Sequence, residues 1–454
     1  MSVGRCVVLV PAPYQGHITP MLQLGSILQS RGFSIFVAHS EYNSPDPSNH
    51  PSFSFIPLPD DVADLDKSFL NSLNVLDAIN ANCKEPLRDF LVQMMENEKL
   101  HGQIACIVYD TIMNFVDEVV NNLQLPSIVM RPNTAAYVRA HHTVFQLLAK
   151  NCLPLPESQM EDDVPNLDPF KYKDMPLPLS LEMPERVFDF MKETYEIGSS
   201  RAIIWNTIDE LEHHHLSMLQ QIFHVPFFCL GPFHKMAPPS KTSLLKEDNS
   251  CIEWLDKQQP NSVLYVSLGS IVAMDDKEVM ETAWGLINSE QPFLWVIRDI
   301  FANGAKANAQ LPDGFEEIIG ERGCLVKWAP QKKVLRHSAV GGFWSHCGWN
   351  SILESISEGV PMICRPDFSD QFINSRYVAH VWNMGLELEG PLERGKVEEI
   401  VRRLMVDEEG KEVRNRTIDM KHKFQESVEK GGASYQSLNQ LTDFISSLSS
   451  LISY

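Results

Sequence analysis

The chain alternates between short apolar runs and longer segments whose apolar residues recur at helical spacing. The first apolar run, residues 6–10, predicts a buried strand. Thr19 and Pro20 have the chemistry of an N-cap and a first helical residue, so the next helix is predicted over 21–29. A second strand is predicted at 33–38. The chain therefore opens with a βαβ unit.

Predicted strands and helices continue to alternate through both halves of the chain. The first half contains a predicted strand at 104–109, a helix at 115–123 and a strand at 127–130. The second half contains a predicted helix at 277–288 and strands at 263–267, 293–297, 324–327 and 341–344. Such alternation is typical of parallel sheets that helices cover on both faces. The predicted fold class is α/β.

Two segments interrupt the alternation. Residues 152–186 are rich in proline and acidic residues, which suits a long surface loop near an entrance or a passive connector. The polar stretch at 233–249 is typical of an interdomain linker, and 454 residues exceed the usual size of one core. We therefore predict two doubly wound, Rossmann-like domains facing across a cleft. The predicted boundaries are 1–238 for the first domain, 239–249 for the linker, 250–435 for the second domain, and 436–454 for a C-terminal helix that packs back on the first domain.

The net charge of −21 restricts the partners of this protein. Nucleic acid and anionic membrane surfaces would be repelled, so neither is predicted as a partner. An anionic small molecule could still bind where backbone N–H groups converge, as they do at a helix N-terminus. In a protein with this charge, an anionic ligand is therefore expected to bind at a strand–turn–helix segment.

Cysteine usage and the chain ends indicate a cytoplasmic protein. Nine scattered cysteines without a CxxC pair predict reduced thiols instead of a disulfide framework or a zinc site. The apolar run at 6–10 is broken by Pro11 and Pro13, too short for a signal peptide or a membrane helix. Serines interleave the apolar residues at 444–454, so no membrane insertion is predicted.

One strand–turn–helix segment in the second half meets the requirement for anion binding. Its strand is predicted to end near His346 and its helix to begin near Asn350, so free N–H groups with His346, Asn350 and Ser351 would cradle a phosphate. Glu354, one turn further, is placed to accept hydrogen bonds from a diol. Flanking residues add a flat face for a base and polar groups for sugar hydroxyls: Trp328, Asp370 and Gln371.

Each of these residues also has a purely structural explanation. Ser351 and Glu354 have the spacing of a helix capping box. Trp328 could belong to a hydrophobic core, and a histidine after a strand is often only a satisfied polar residue. The residues alone leave these alternatives open.

The 44 residues at 328–371, from WAPQ through HCGWNS to DFSDQ, resemble the signature of plant secondary-product glycosyltransferases without gaps. These enzymes are the plant family 1 UDP-glycosyltransferases. The similarity extends to PYQGHITP at 13–20 and VLYVSLGS at 263–270, and so covers essentially the whole chain. It implies a GT-B fold, a UDP-sugar donor, no tightly bound cofactor and a monomeric enzyme of secondary metabolism. Residues 375–385 and the LERG that follows resemble the subgroup of cytokinin, benzoxazinone and diterpenoid glucosyltransferases.

The resemblance also implies a role for individual residues. Trp328 would stack on uracil with Gln331 beside it, and Glu354 would bind the ribose. The diphosphate would be held by His346, Asn350 and Ser351, assisted by Ser270, and the sugar would face Trp349, Asp370 and Gln371. Ala329 and Gly348 complete the predicted donor-binding set. A terminal glutamine such as Gln371 is the variant usually associated with glucose, so UDP-glucose is the expected donor.

Transfer to an alcohol requires a base that removes the hydroxyl proton. His17 follows the first strand, and Asp110 follows the strand predicted at 104–109, so both occupy carboxyl ends of parallel strands. The structural alternative is that an acidic residue there merely faces water. The resemblance implies a His17–Asp110 dyad, in which Asp110 orients His17 and the sugar inverts its configuration.

Two other polar motifs contain residue types that can bind metal ions. Asp64-Leu65-Asp66 lies in an acidic run that favours a solvated loop, and no metal is predicted. His213, His214 and His215 are consecutive and cannot share one side of a helix, so a polar helix face is predicted instead.

The acceptor is expected to bind in the first domain. Its apolar candidates, each of which could instead be ordinary core, are Met113, Phe115, Tyr137 and Phe145. They suit a small lipophilic acceptor of the phenolic, flavonoid, terpenoid, benzoxazinone or cytokinin-like kind. The alternatives are another UDP-sugar donor, such as the galactose, xylose or rhamnose derivative, and a UDP-sugar-binding protein without turnover.

Overall fold

The computed structural model of the chain describes residues 4–63, 65, 72–239, 241–272, 274–297, 301–302, 305–306 and 311–448. Two units emerge from the pattern of contacts along the chain. Unit 1 comprises Met1–Pro154, Leu181–Leu244 and Glu426–Tyr454, and unit 2 comprises Leu155–Ser180 and Leu245–Gln425. The part of the proline-rich segment at 155–180 therefore groups with unit 2, although it lies within the predicted first domain.

Unit 1 contains a seven-stranded parallel sheet with the strand order β3-β2-β1-β4-β5-β6-β7. The strands are β1 (Arg5–Val10), β2 (Ser34–Ser40), β3 (Ser54–Leu58), β4 (Gln103–Asp110), β5 (Ser127–Arg131), β6 (Ile203–Trp205) and β7 (Phe227–Cys229). The order reverses between β1 and β4, which is the switch point of a doubly wound sheet.

Helices cover both faces of this sheet. They are α1 (Gln15–Ser30), α2 (Ser72–Asn82), α3 (Lys84–Glu96), α4 (Glu98–His101), α5 (Phe115–Asn122), α6 (Ala135–Ala149), α7 (Glu185–Tyr195), α8 (Asp209–Phe223) and α9 (Phe233–Met236). One hydrophobic core joins α1 to one face of the sheet, and a second joins α2, α3 and α5 to the other. Alternating side chains of β1 enter the two cores, as expected for a strand buried on both faces.

The prediction for the first helix was wrong about its start. The helix begins at Gln15, before Thr19, and Pro20 lies inside it. The first turn closes at Tyr14, whose carbonyl oxygen accepts hydrogen bonds from the N–H groups of His17 and Ile18 at 2.9 and 2.8 Å. Tyr14 makes no side-chain cap, so the sequence carries no signal at the true N-terminus. His17 is consequently a helical residue in the first turn.

Unit 2 contains a six-stranded parallel sheet with the order β12-β9-β8-β13-β14-β15, which reverses between β8 and β13. The strands are β8 (Val263–Ser267), β9 (Phe293–Val296), β12 (Gly323–Val326), β13 (Val340–Ser345), β14 (Met362–Cys364) and β15 (Gly385–Glu387). A separate two-stranded pair consists of β10 (Phe301–Ala302) and β11 (Ala305–Lys306). Both large sheets confirm the predicted doubly wound α/β class.

The helices of unit 2 are α10 (Ser250–Leu255), α11 (Asp276–Asn288), α12 (Phe315–Ile319), α13 (Gln331–Arg336), α14 (Trp349–Glu358), α15 (Asp370–Arg376), α16 (Arg394–Met405) and α17, which begins at Glu408 and ends at Val428. The last helix, α18 (Ala433–Leu448), shares the core of β1 and α1 in unit 1. Among the described residues, no helix is long and apolar enough to span a membrane.

Candidate active site

His17 and Asp110 meet at the switch point of the unit 1 sheet. Asp110 is the last residue of β4, and His17 lies in the first turn of α1, which follows the neighbouring strand β1. Because the chain leaves these adjacent strands in opposite directions, a crevice forms beyond their carboxyl ends. There Nδ1 of His17 lies 2.7 Å from Oδ2 of Asp110. The fold thus joins two residues that are 93 positions apart.

The contacts of Asp110 determine the tautomer of His17. The carboxylate is fully buried, and its other oxygen, Oδ1, accepts a hydrogen bond from the N–H of Ile112 at 3.1 Å. Because a carboxylate only accepts, Nδ1 of His17 carries the hydrogen of their bond, and the basic lone pair is on Nε2. The His17 side chain is 24% exposed. This arrangement can accept a proton on Nε2 and stabilise the resulting cation.

The helix N-terminus adds a second electrostatic influence on His17. The N–H groups of the first turn of α1 point towards its beginning, and their dipoles disfavour a positive charge there. They therefore favour the neutral imidazole, the form that can act as a base. The ring of Tyr14 contacts the imidazole edge-on, with 6.2 Å between centroids. Asp110 and Tyr14 together fix the position of the imidazole at this helix N-terminus.

In unit 2, a tight turn joins β13 to α14 at the corresponding switch point. It consists of His346, Cys347 and Gly348, and Cys347 adopts a left-handed conformation with φ of 66°. Gly348 is the N-cap of α14 and has no side chain with which to cap it. The first N–H groups of a ten-residue helix therefore point towards the end of β13, as anion binding requires.

Two glycines make room for the imidazole of His346. A Cβ atom at Gly269, two residues after β8, would lie 2.5 Å from Cε1 of His346, and one at Gly348 would lie 2.5 Å from Nε2. Contacts this short are sterically impossible, so both positions require glycine as long as the ring stays in place. His346 is thereby held between two backbone segments. Ser270, half-buried, follows Gly269 in the same turn.

Gln331, the first residue of α13, is the centre of a hydrogen-bond network. Its Nε2 donates to Oε2 of Glu354 at 2.8 Å and to the hydroxyl of Ser351 at 3.1 Å. Its Oε1 accepts a hydrogen bond from the hydroxyl of the buried Tyr265 at 3.3 Å. Burial raises the pKa of Glu354, a carboxyl group that is 8% exposed. The network fixes the orientation of Glu354.

This network excludes the capping-box explanation for Ser351 and Glu354. A capping box requires Ser351 to be the N-cap, but the N-cap is Gly348, and Ser351 is the third residue of α14. Both side chains are directed to Gln331 instead. Their spacing reflects a shared hydrogen-bond network with Gln331 and not the start of a helix.

Asp370 and Gln371 begin α15. The Oε1 of Gln371 accepts hydrogen bonds from the N–H groups of Asp367 and Phe368 at 2.9 and 3.3 Å, so its amide nitrogen is the group that remains as a donor to a ligand. Asn374 donates to Asp370 at 2.8 Å and to the carbonyl oxygen of Cys347 at 3.0 Å. This second bond ties α15 to the turn that carries His346.

The other predicted donor-binding residues lie in the same unit. Trp328 is half-buried two residues after β12, and its carbonyl oxygen accepts from the N–H of Asp248 at 2.8 Å. Ala329 is buried next to it. Trp349 and Asn350 are the first two residues of α14. Unit 2 therefore contains the whole predicted donor-binding set, and unit 1 contains the predicted dyad.

Sequence reasoning missed two supporting residues of unit 2. Tyr265 lies within the apolar strand β8, where nothing marks its hydroxyl as functional. Asn374 lies four residues after Asp370, which is hydrogen-bonding distance along a helix, so this spacing could have identified it.

The predicted polar face at 213–215 was only partly correct. His213 and His214 are exposed, and His213 contacts Asp209 at 2.8 Å. His215 and Glu212 are instead buried against α6, where Glu212 accepts a hydrogen bond from the N–H of Ala136 at 3.2 Å and His215 contacts Arg139 at 3.1 Å. Among the described residues, no group of three His, Cys, Asp or Glu could hold a metal ion. Asp64 and Asp66 of the acidic triplet lie outside the described residues.

The four apolar acceptor candidates fall into two groups. Met113 and Phe115 are buried within the core of α2, α3 and α5. Tyr137 and Phe145 are half-buried on α6, where Tyr137 contacts His141 with ring centroids 4.4 Å apart. Only the α6 pair has accessible surface that suits a ligand.

Comparisons with known proteins agree with this architecture. Residues 60–423 match the family "UDP-glucoronosyl and UDP-glucosyl transferase". The chain is 54% identical to UDP-glycosyltransferase 76E1 of Solanum lycopersicum, over 98% of this chain and 93% of that protein. It is 43% identical to Flavonol 3-O-glucosyltransferase UGT76E12 of Arabidopsis thaliana, over 98% and 97%.

A solved structure supports the same assignment. Phytolacca americana UGT2, complexed with UDP-2fluoro-glucose and pterostilbene, superposes with a TM-score of 0.82 and 26% identity, over 98% of this chain and 99% of that one. The chain therefore belongs to the plant family 1 UDP-glycosyltransferases: it has their GT-B fold and is an enzyme that glycosylates small-molecule acceptors with a UDP-sugar as co-substrate.

Proposed function

We propose that the enzyme transfers glucose from UDP-glucose to a hydroxyl of a small lipophilic acceptor, with inversion at the anomeric carbon. The observation that carries this proposal is the 2.7 Å bond between His17 and the buried Asp110. A histidine oriented by a carboxylate at the carboxyl ends of parallel strands is the arrangement that proton abstraction from an alcohol needs.

In the proposed reaction, Nε2 of His17 accepts the proton of the acceptor hydroxyl as the oxygen attacks the anomeric carbon. The bond from that carbon to the diphosphate oxygen breaks, and UDP leaves with the electron pair. Attack opposite the leaving group inverts the configuration. Asp110 holds the imidazole in the required tautomer and balances the charge of the imidazolium.

Unit 2 is assigned the donor. Trp328 stacks on uracil beside Ala329 and Gln331, and Glu354, oriented by Gln331, accepts hydrogen bonds from the ribose hydroxyls. The diphosphate is assigned to the N-terminus of α14, with His346, Gly348, Asn350, Ser351 and Ser270, and the hexose to Trp349, Asp370 and Gln371. Helix N–H groups and an imidazole supply the charge complement of the diphosphate, so the proposed reaction uses no metal.

The identity of the sugar is inferred from Gln371, and the class of acceptor from the name of a relative. Gln371 ends the signature segment with the residue that the family resemblance associates with glucose donors, which supports glucose over the galactose, xylose and rhamnose alternatives. A relative named as a flavonol 3-O-glucosyltransferase supports a phenolic acceptor among the lipophilic classes predicted above. We assign the acceptor to residues 1–238, the donor to residues 250–435 and the connection to 239–249, with 436–454 packed on the acceptor domain. The enzyme is proposed to act as a cytoplasmic monomer.

An acceptor panel with UDP-glucose, with products identified by mass, tests the proposal. His17→Ala should lower transfer to hydroxyl acceptors about a hundredfold or more, the loss expected for a general base. Its dissociation constant for UDP-glucose should stay unchanged, because every assigned donor contact belongs to unit 2. Competition by UDP-galactose, UDP-xylose and UDP-rhamnose in the same assay identifies the preferred sugar.

Three outcomes would contradict the proposal. Full activity of His17→Ala would exclude the base, and preference for another UDP-sugar would exclude glucose. Binding of UDP-glucose without UDP release on any acceptor would favour a binding protein without turnover.

A further inference from the structure

The segment 155–180, here called the strap, has an unusual place in the chain. It groups with unit 2, whereas the residues on both sides of it along the chain belong to unit 1. Most of its apolar side chains are buried, including Leu167, Phe170 and Met175. An antiparallel bridge between Asp163 and Lys171 closes it into a compact loop. A segment with this packing is more than a passive connector.

The strap is anchored at the end of α15. The ring of Phe170 contacts the ring of Tyr377 edge to face, with centroids 5.0 Å apart and an interplanar angle of 81°. Nε of Arg376, the last residue of α15, donates to the carbonyl oxygen of Pro169 at 3.3 Å. The Arg376 guanidinium also pairs with Asp174 at 3.6 Å, and both side chains are largely shielded from solvent, which weakens screening by salt.

Aromatic contacts continue from this anchor to the N-terminus of α14. Tyr377 stacks on Trp382 with centroids 5.0 Å apart and an angle of 17°. Trp382 in turn contacts Trp349 at 6.2 Å. We call Phe170, Tyr377, Trp382 and Trp349 the aromatic ladder. It connects the strap to the first residue of α14, one of the residues assigned to the sugar.

The other end of α15 also needs support. Its N-cap, Ser369, has φ of 59° and ψ of −127°, a conformation that non-glycine residues avoid and that persists only when surrounding contacts impose it. Asp370 and Gln371 follow directly. Sugar hydroxyls are recognised by hydrogen bonds whose geometry tolerates only small displacements of the donor and acceptor groups. A helix that carries such groups therefore has to be held firmly along its length.

We propose that the strap is a positioning element of the sugar-binding part of the donor site. Phe170 and Asp174 hold Tyr377 and Arg376, and thereby fix α15 and the aromatic ladder in the geometry that binds the hexose of a UDP-hexose. This inference rests on the donor-site assignment made above. The nucleotide contacts also have supports outside the strap, since Gln331 orients Glu354 and two glycines hold His346. Weakening the strap should therefore affect sugar binding more than nucleotide binding.

Phe170→Leu in the full-length chain tests this division, with UDP and UDP-glucose as probes in titration calorimetry. We expect the dissociation constant of UDP to change by less than about twofold, and that of UDP-glucose to rise about tenfold, because small displacements of positioning groups are costly. The kcat/KM for transfer should fall at least as much as the UDP-glucose affinity.

Phe293→Leu is the matched control. Phe293 is another buried phenylalanine of unit 2, in β9, and its ring contacts Phe315 and not the ladder. This variant should unfold at a lower temperature, as Phe170→Leu should, yet keep the wild-type ratio of the two dissociation constants. A purely structural role of Phe170 would make the two variants alike and would overturn the inference.

Asp174→Asn extends the test without removing a core side chain. It keeps an oxygen that can accept from the N–H of Lys171, as Asp174 does at 2.8 Å, but removes the charge that pairs with Arg376. UDP-glucose affinity should fall about threefold relative to UDP, in line with the modest worth of a single ion pair. Asp163→Asn, an exposed position of the strap, should leave both affinities unchanged.

The remaining outcomes separate the strap from the function on which it rests. If the wild type binds UDP and transfers glucose but the strap variants weaken UDP and UDP-glucose equally, the strap inference alone fails. If the wild type binds neither nucleotide, the donor-site assignment and the strap inference fail together.

Discussion

The two units place different chemistry at the same point of the same fold. In both sheets the strand order reverses between the first strand and its inner neighbour, β1 with β4 and β8 with β13. At that point β4 ends in the carboxyl side chain of Asp110, whereas β13 ends in the hydroxyl side chain of Ser345, followed by His346. One switch point holds a histidine hydrogen-bonded to a buried carboxyl group, and the other holds the N-terminus of a helix and an imidazole packed against two glycines. The architecture fixes where a ligand binds, and the local residues fix what happens to it.

The contrast extends to the charges that each unit buries. Unit 1 encloses Arg131, whose pKa burial lowers to about 10, and His141, whose pKa burial and the charge of Arg131 lower to about 3. Burial raises the pKa of Glu212 to about 7. The network in unit 2 joins Gln331 to hydroxyl groups and one carboxyl group. Unit 2 also buries carboxyl groups, because burial raises the pKa of Glu354 and of Asp174. The pKa shifts to about 3 and about 7 in unit 1 predict that the stability of unit 1 depends on pH.

The largest effect that separates the units is expected from Asp110→Asn. The amide can still contact Nδ1 of His17, but it no longer selects the tautomer or balances the imidazolium, so kcat should fall about a thousandfold. UDP-glucose affinity should remain at the wild-type value in calorimetry. Asp89→Asn, at an exposed position of α3, is the control and should retain full activity. A loss of UDP-glucose affinity in Asp110→Asn would break the division of roles between the units.

A smaller effect, on stability, is expected from Glu212→Gln. The folded pKa of about 7 exceeds the ordinary value of 4.5. Between these values the unfolded chain ionises and the folded chain does not, so rising pH destabilises the wild type, by about 1.4 kcal/mol per pH unit. The stability that the neutral carboxyl provides is complete below pH 4.5 and lost above pH 7.

Unfolding by urea at pH 5 and pH 8 measures this difference. The free energy of unfolding of Glu212→Gln relative to the wild type should rise by about 2 to 3 kcal/mol between the two conditions. Glu210→Gln, at an exposed position of the same helix, should follow the wild type at both. A pH-independent difference between Glu212→Gln and the wild type would show that unit 1 tolerates an ionised Glu212.

Most of the predicted helices and strands are present in the structure, because apolar periodicity and capping residues lie within or next to each element. The strand predicted at 263–267 is Val263–Ser267, and the helix predicted at 277–288 is Asp276–Asn288, which begins with a capping box formed by Asp275 and Glu278. The start of α1 was predicted wrongly because the local signal is absent at its true N-terminus. Tyr14 carries no capping side chain, and Thr19 with Pro20 imitates a start inside the helix.

The contacts that complete the sites depend on distant parts of the chain. The candidates themselves came from motifs, but Tyr265 reaches Gln331 only because β8 and α13 come together in unit 2. In the strap, the hydrogen bond between Pro169 and Arg376 joins residues 207 positions apart in the sequence. Phe170 contacts Tyr377 beside this bond. No local pattern encodes such pairs, because they follow from strand order and helix packing.

The smallest effect, and the one specific to shape in unit 2, is expected from Gly348→Ala. Gly348 has φ of −61° and ψ of 138°, which alanine adopts without strain, so the only obstacle is the added Cβ, 2.5 Å from Nε2 of His346. The ring, which also lies against Gly269, must then shift away from its place beside α14. We expect UDP to bind about tenfold more weakly, because a displaced donor loses charge-assisted hydrogen bonds to the diphosphate.

Gly395→Ala in α16, where a Cβ meets nothing within 4 Å, is the control and should bind UDP normally. Unchanged UDP affinity in Gly348→Ala would place the diphosphate elsewhere than the turn of His346.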